Sequence, residues 1–326
     1  MCESDTVKNV MVTGATGFVG RHVVRELLAR GLRPVCVVRS PGKLARQLRD
    51  VPPDRWRALP GTLEDRDVLR QAAGLSDAAI HLVGIIIERR LRGQTFERVH
   101  ARGTWHVVEA AGRAGIKRII HLSSLGARPD ARTAYHRTKW TAEEYVRQSG
   151  VEWTIFQPSL IHGPDGDFMK LMQQLSCGLL PPFVPYFGSG QAKLQPVSVD
   201  DVAHCVVDSL SRVETIGEII PLGGPKAYTW IELYTTCRAL LPKAKRWKPI
   251  LPLPVAIAKL QALLSAPPLA FAELVVPSLG KYRFDRGNVQ MSQEDNICDH
   301  RLAEEMFGIS MRPFEKELAA YADRIG

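Results

Sequence analysis

Three glycines at regular three-residue spacing, Gly14, Gly17 and Gly20, stand between the apolar run Val10-Met11-Val12-Thr13 and a segment from Phe18 onward whose apolar residues recur at helical intervals. A chain that passes from strand to helix in so few residues has little choice of path. Gly14 permits the tight turn, Gly17 keeps the backbone bare, and Gly20 lets the helix close on the strand. The N–H groups of the first helical turn then lack intrahelical acceptors and sit at the positive end of the helix dipole, where a phosphate is readily held. Gly14, Thr16, Gly17, Phe18, Val19 and Gly20 are therefore the expected phosphate-binding residues. The spacing is G-x-x-G-x-x-G rather than G-x-G-x-x-G, so the weight of the motif comes from its place directly after the first strand.

The rest of the first half repeats that strand-then-helix rhythm. Short apolar runs at residues 9–13, 34–38, 55–59, 78–83, 118–122 and 152–156 read as buried strands, and residues 18–30, 95–114 and 133–148 carry helical spacing. Such alternation predicts an α/β protein with a Rossmann-type, doubly wound parallel sheet and right-handed crossovers. After Phe156 the regularity loosens into Gly- and Pro-rich turns. Helices are expected over residues 158–178, 230–241, 255–264 and 299–307, with a last one from Pro313 to the end. Residues 218–222 read as a strand returning to the main sheet. The chain thus divides into a dinucleotide-binding portion, residues 1–157, and a smaller mixed portion facing the substrate, residues 158–326.

Charge and cysteine content narrow the partners. Forty-three Lys and Arg against thirty-four Asp and Glu leave a net charge of +9, which suits phosphate-rich ligands. The arginines are scattered without a basic block or interleaved aromatics, so no nucleic-acid partner is expected. The six cysteines form no C-x-x-C pair, no H-E-x-x-H occurs, and no metal site is expected; reduced thiols in a cytoplasmic setting are. Residues 1–8 are polar, so no secretory signal is expected. The most apolar stretch, residues 249–279, is broken by Lys259, Glu273 and several prolines, which rules out a clean membrane span but leaves a peripheral contact open.

Two further groups carry chemistry. At the end of the second strand, where a carboxylate would select NAD(H), the chain has Arg39, with Lys43 four residues on and Arg21 just past the third glycine. Guanidinium and ammonium groups there favour NADP(H), with NAD(H) as the alternative. Beyond the fifth strand, Ser124 is followed eleven residues later by Tyr135, and Lys139 lies one helical turn on. On a helix, Tyr135 and Lys139 share a face. A phenol is a poor acid–base group at neutral pH unless its anion is stabilised, a role expected of the Lys139 ammonium together with an oxidised nicotinamide; Ser124 would hydrogen-bond the reacting oxygen.

Taken together, these residues resemble the short-chain dehydrogenase/reductase superfamily in its extended and atypical branches, the NAD-dependent epimerase/dehydratase-like proteins. The resemblance runs from residue 8 to about residue 225, through Thr13 to Gly20, Asp77 to Gly84, Ser123-Ser124, Tyr135 to Lys139, Gln157 to Pro164 and Gln195 to Ala203. Within it, the order of the second half is similar to the NAD(P)H-binding 39-kDa-type accessory subunits of respiratory complex I. The resemblance implies further cofactor contacts at Leu63, Val83, Gly84, Pro158 and Ser159, with Lys139 also on the nicotinamide ribose. Two positions depart from the pattern: His100 replaces an Asn of the fourth helix, and Thr62 replaces an Asp after the third strand.

Three functions follow as expectations. The first is hydride transfer between NADP(H) and a carbonyl or secondary alcohol, with Ser124, Tyr135 and Lys139 catalytic and the small-molecule substrate unnamed. The second is a non-catalytic NADPH-binding accessory subunit or assembly factor of the complex I type, cytoplasmic and peripheral at the inner face of a membrane. The third is nucleotide-sugar epimerisation or dehydration. Asp200 and Asp201 are expected to cap a helix, and His81 and His162 to be packed rather than catalytic.

Overall fold

The strands of the first half are apolar on both faces and so need cover on both sides. In β1 (Asn9–Thr13) Val10 and Val12 point to one side and Met11 to the other, and each side has its own buried cluster. The computed structural model describes residues 7–179, 182–253 and 286–325. The helix expected over residues 255–264 lies outside the described residues.

Seven parallel strands form the central sheet. They are β1, β2 (Arg33–Val38), β3 (Arg57–Pro60), β4 (Ala78–His81), β5 (Arg118–Leu122), β6 (Glu152–Pro158) and a late strand, Glu218–Leu222, in the spatial order late strand, β6, β5, β4, β1, β2, β3. The chain reverses its direction of strand addition between β1 and β4, which opens a crevice at the carboxyl ends of those strands. On one face lies α1 (Phe18–Ala29), burying Val23, Val24 and Leu27. The other face is covered by α3 (Arg66–Gly74), α4 (Gly103–Arg113) and α5 (Ala134–Arg147), which follow α2 (Pro41–Gln47) in the chain. Leu69, Val107 and Val146 of those three helices meet Met11, Val35 and Ile119 of the sheet.

The expected doubly wound sheet is what forms, with local shifts. The third strand begins two residues late because Pro53–Arg55 makes a 3-10 turn first. The fourth helix enters through a wider π-helical stretch, Glu97–Arg102, before α4. The helix expected over residues 158–178 is corrected. Strand β6 runs on through Pro158, Ile161–His162 forms a short strand β7, and only after Gly166 does α6 (Asp167–Cys177) start. Gly163 precedes a proline and the chain turns there, Gly166 N donating to Gly163 O at 3.1 Å, with Gly166 extended at the head of α6.

The second half gives more back to the main core than one strand. After β8 (Val184–Phe187), β9 (Lys193–Leu194) and β10 (Val197–Ser198) comes α7 (Val199–Asp208), which packs on α1; Val202, Cys205 and Val206 belong to the same cluster as Val10 and Val12. The late strand, β11, then pairs with β6, as its sequence suggests. Arg118 pins this connection from the sheet. Buried in β5, its guanidinium donates to Thr154 Oγ1 at 2.6 Å, Ser209 O at 2.8 Å and Thr215 Oγ1 at 2.7 Å. A third cluster, with Met172, Tyr228, Leu233 and Phe314, is the core of the smaller portion. It includes α8 (Trp230–Leu240), which follows β12 (Tyr228–Thr229) and precedes β13 (Ile250–Leu253).

The closeness of α1 to β1 rests on hydrogen at one position. A Cβ on Gly20 would fall 2.0 Å from the Gly14 carbonyl oxygen, a backbone atom that cannot swing aside. Gly20→Ala is expected to lower stability by about 3 kcal/mol. Gly112→Ala, in open space within α4, should raise it by about 0.5–1 kcal/mol. Equal melting temperatures for the two variants would contradict this packing.

Candidate functional site

The first turn has the form its glycines require. Gly14 sits at φ +82°. A Cβ there would press to 3.2 Å on the backbone of Leu82 and Val83, so the turn lies directly against the end of β4. Gly17 donates its N–H to Gly14 O at 2.9 Å and is exposed at the head of α1 with no side-chain cap. The first helical turn, with Phe18 and Val19, thus stands at the crevice without a capping side chain, and the absence of side chains at Gly14 and Gly20 lets the turn close against the end of β4 and α1 close on the turn. These residues fit a diphosphate. Thr16 is half-buried in the same turn.

Of the three cations expected near a ribose phosphate, two stand at the end of β2 and the start of α2. Arg39 and Lys43 are both exposed and join no ion pair among the described residues. Arg21 is a correction. It pairs with Asp165 at 2.8 Å and lies over the Phe18 ring, whose tip in turn packs under Gly163 and Gly166. Its place in the first turn of α1 directs it to the loop before α6 rather than toward Arg39.

The residues expected to be catalytic converge at the carboxyl edge of β4 and β5. Thr133 caps α5 by accepting from His136 N, and this sets Tyr135 and Lys139 one turn apart. Ser124, in the loop after β5, lies near enough to Tyr135 to influence its phenol, and its own hydroxyl donates to Leu125 O at 3.3 Å. Lys139 is buried; its Nζ donates to Leu122 O at 3.0 Å and would lie 3.1 Å from a Cβ on Gly84. Burial lowers its pKa to about 8, opposed by the Glu143 carboxylate. Burial raises the pKa of half-buried Tyr135, and Ser124 is the opposing influence; the lowering expected of Lys139 together with an oxidised nicotinamide belongs to the cofactor-loaded site.

Adjacent serines part company here. Ser123 is buried and donates to Glu143, which also accepts from Gln157 Nε2 at 2.8 Å and Arg147 Nη1 at 3.1 Å. The sequence offered no signal for Glu143 beyond its place four residues after Lys139.

Three buried histidines surround the lysine, and all are held neutral. His81 in β4 bridges Thr13 Oγ1 at 2.6 Å and Thr104 Oγ1 at 3.0 Å, and stacks on His121 of β5 at 5.2 Å. Burial pushes the His81 pKa down to about 3 and that of His121 well below its ordinary value, and the charge on Lys139 adds to both. Neither ring nitrogen of His121 has a partner. His100 answers the departure seen in the sequence. Its Nε2 accepts from Ile85 N at 3.0 Å, which places the ring proton on Nδ1, and Nδ1 donates to Thr138 Oγ1 at 3.0 Å. The imidazole therefore links the loop after β4 to the helix carrying Tyr135, and with Phe96 it lies edge-on to the Tyr135 ring at 5.4 and 5.8 Å.

Other expected residues fall as follows. Val83 and Gly84 border the site between the Gly14 turn and Lys139. The Leu63 carbonyl accepts from His106 Nδ1 at 2.6 Å. Pro158, buried, ends β6. The Ser159 hydroxyl donates to Asn296 O at 2.7 Å and accepts from Gln195 N at 3.2 Å, tying down the segment that also reaches Leu125 O through the Asn296 amide at 3.3 Å. The cap of α7 is Ser198 rather than an aspartate. Asp200 accepts from His22 at 2.6 Å. Asp201 pairs with Arg312 at 3.1 Å and has its pKa raised by burial to about 6. His162 is buried against Phe314 with Tyr321 Oη at 3.0 Å. Among the described residues no group of three or more His, Cys, Asp or Glu could hold a metal ion.

Comparison with known proteins bears on the family and the fold. A family model described as NAD(P)H-binding matches residues 14–212. A ceramide reductase of Caulobacter vibrioides is 33% identical over 69% of this chain and 68% of its own. The mitochondrial NADH dehydrogenase [ubiquinone] 1 alpha subcomplex subunit 9 of Arabidopsis thaliana is 30% identical over 77% of this chain; the match spans 61% of the plant protein, less than two thirds of it. Among solved structures, the dTDP-glucose 4,6-dehydratase DesIV of Streptomyces venezuelae, with NAD and TYD bound, superposes with a TM-score of 0.73 at 20% identity, covering 97% of this chain and 96% of that one, which establishes the shared Rossmann fold.

The buried ammonium makes a pH prediction. Below about pH 8 Lys139 is charged in both folded and unfolded chains; from there to 10.5 the unfolded chain alone keeps the proton, so stability attributable to Lys139 rises through that window. In urea unfolding at a series of pH values, Lys139→Met should remove about 1–3 kcal/mol of that rise relative to the wild type. Parallel curves for the two proteins would show that Lys139 titrates normally.

Proposed function

The chain belongs to the NAD(P)H-binding family, and we propose that it is an oxidoreductase transferring hydride between NADP(H) and a carbonyl or secondary alcohol of a small molecule. The observation that carries this reading is that Tyr135 and Lys139 stand one turn apart on α5, with Ser124 beside Tyr135 and with Lys139 against Gly84, at the sheet edge that also holds the Gly14 turn. When bound, the nicotinamide supplies or accepts the hydride. Tyr135 gives its proton to, or takes it from, the substrate oxygen, and Ser124 orients that oxygen. Lys139 holds the nicotinamide ribose and favours the phenolate. Gly14, Thr16, Gly17, Phe18, Val19 and Gly20 receive the diphosphate, while Leu63, Val83, Gly84, Pro158 and Ser159 border the cofactor. Arg39 and Lys43, exposed and outside any ion pair among the described residues, favour a 2′-phosphate and hence NADP(H) over NAD(H).

We divide the chain at residue 157 into cofactor-binding and substrate-facing portions. We place it in the cytoplasm, peripheral to the inner face of a membrane. A second reading, a non-catalytic NADPH-binding accessory subunit, is favoured by the likeness to the plant subunit. The nucleotide-sugar reading draws only on the shared fold.

Mass spectrometry of the natively purified protein separates the first two readings. Retained NADP(H) without a respiratory complex is expected, and co-purification with such a complex would favour the accessory subunit. Arg39→Asp should reverse the cofactor preference by about 1–3 kcal/mol, read by calorimetric titration with NADPH and NADH; an unchanged preference refutes the 2′-phosphate assignment. Tyr135→Phe should leave NADPH affinity within about twofold and remove turnover by at least a hundredfold with any substrate found. Wild-type rates in that variant would take Tyr135 out of the mechanism.

A further inference from the structure

Two stretches of the chain, residues 168–199 and 233–272, contain no Asp or Glu at all, while the second carries Arg238, Lys243, Lys245, Arg246 and Lys248. The fold brings them side by side. Strand β13 pairs in parallel with β8, Val184 N donates to Pro249 O at 2.9 Å, and Lys245 N donates to Ser176 O at 2.8 Å near the end of α6.

The loop between α8 and β13 is held from beneath. Lys248 is fully buried, and its Nζ donates to Leu175 O at 2.9 Å. Its own carbonyl accepts from Arg238 Nη1 at 2.5 Å, and its N–H donates to Lys245 O at 3.0 Å. This anchoring fixes what the loop presents. Trp247 is 64% exposed and Leu179, just past α6, is 74% exposed. Lys243 and Arg246 are exposed and Lys245 half-exposed, and none of the three joins an ion pair among the described residues.

We propose that this surface docks the protein on an anionic phospholipid bilayer, with Trp247 and Leu179 entering the headgroup layer and Lys243, Lys245 and Arg246 lying over it. An indole suits that depth because its ring is apolar and its N–H polar. Each cation near an anionic leaflet strengthens binding about fivefold, and neither of the two paired stretches brings a carboxylate of its own against that attraction. A headgroup layer has no fixed contour to match, whereas an acidic protein would have to fit an anchored surface from which the Trp247 indole and, from beside α6, the Leu179 isobutyl group project. The proposal deepens the membrane-side location given above and rests on that location, not on the cofactor chemistry.

The test is flotation of the full chain with phosphatidylcholine vesicles, with and without phosphatidylglycerol. Binding is expected only with the anionic lipid, to weaken on the order of twentyfold in Lys243→Gln/Arg246→Gln, and to fall further in Trp247→Ala/Leu179→Ser. Melting temperature and NADPH affinity should be unchanged in both variants, whose altered side chains are exposed. Wild-type flotation in these variants, equal binding to neutral vesicles, or no vesicle binding overturns the proposal. So does retention on immobilised polyglutamate without vesicle binding, which would give the surface to an acidic protein. A protein that binds NADPH but no vesicles sinks this inference alone; one that floats without binding NADPH sinks the cofactor reading alone.

Discussion

A buried ammonium organises the site. Lys139 lies inside the protein with the Leu122 carbonyl as its hydrogen-bond acceptor and Glu143 as the nearest compensating charge. A second cation in that space would be prohibitive, and the chain meets the constraint by making every titratable ring around it neutral. His81, His100 and His121 sit on three different elements, and each is disfavoured as a cation first by burial and then by neighbouring positive charge, Lys139 included. Because they are neutral they can act as paired donor and acceptor. His81 joins two threonine hydroxyls, and His100 joins the Ile85 amide to Thr138. The electrostatic requirement at one nitrogen thus determines how β4, β5 and α5 are tied together around Tyr135.

How much of this was readable in the sequence depends on the range of the interaction. Strands such as residues 34–38 were legible because a strand buried on both faces reads as a continuous apolar run. Tyr135 and Lys139 were legible because helical periodicity alone puts them on one face. Ser123 and Ser124 could not be told apart by composition; successive residues of extended backbone point opposite ways, and only the fold decides which meets Glu143 and which meets Tyr135. The partner of His100, Thr138, lies 38 residues on, and no local pattern announces it.

The second half was harder for the same reason. Its strands β7, β9, β10 and β12 have two residues each, too short for any period to register, and they are held by partners distant in sequence. The apolar spacing of residues 158–178 is real, yet its first part serves β6 and β7, where glycine and proline forbid the helix that the spacing suggested. Asp201 looked like a cap and is instead a buried partner of Arg312, more than a hundred residues away.

Net charge alone also misleads until the pairs are removed. Many of the scattered arginines are matched within the fold: Arg25 by Asp50, Arg30 by Asp208, Arg66 by Glu109, Arg98 by Glu64, Arg312 by Asp200 and Asp201. Such pairs contribute little stability, but they cancel field. The excess of +9 is therefore not spread as evenly as the arginines are. Part of it stands at the end of β2, where Arg39 and Lys43 flank the crevice, and part on the loop after α8, where no carboxylate is near in sequence. Unmatched cations in those two places would draw anions to two separate surfaces of one molecule, a phosphate on a small ligand at the first and a layer of headgroups at the second.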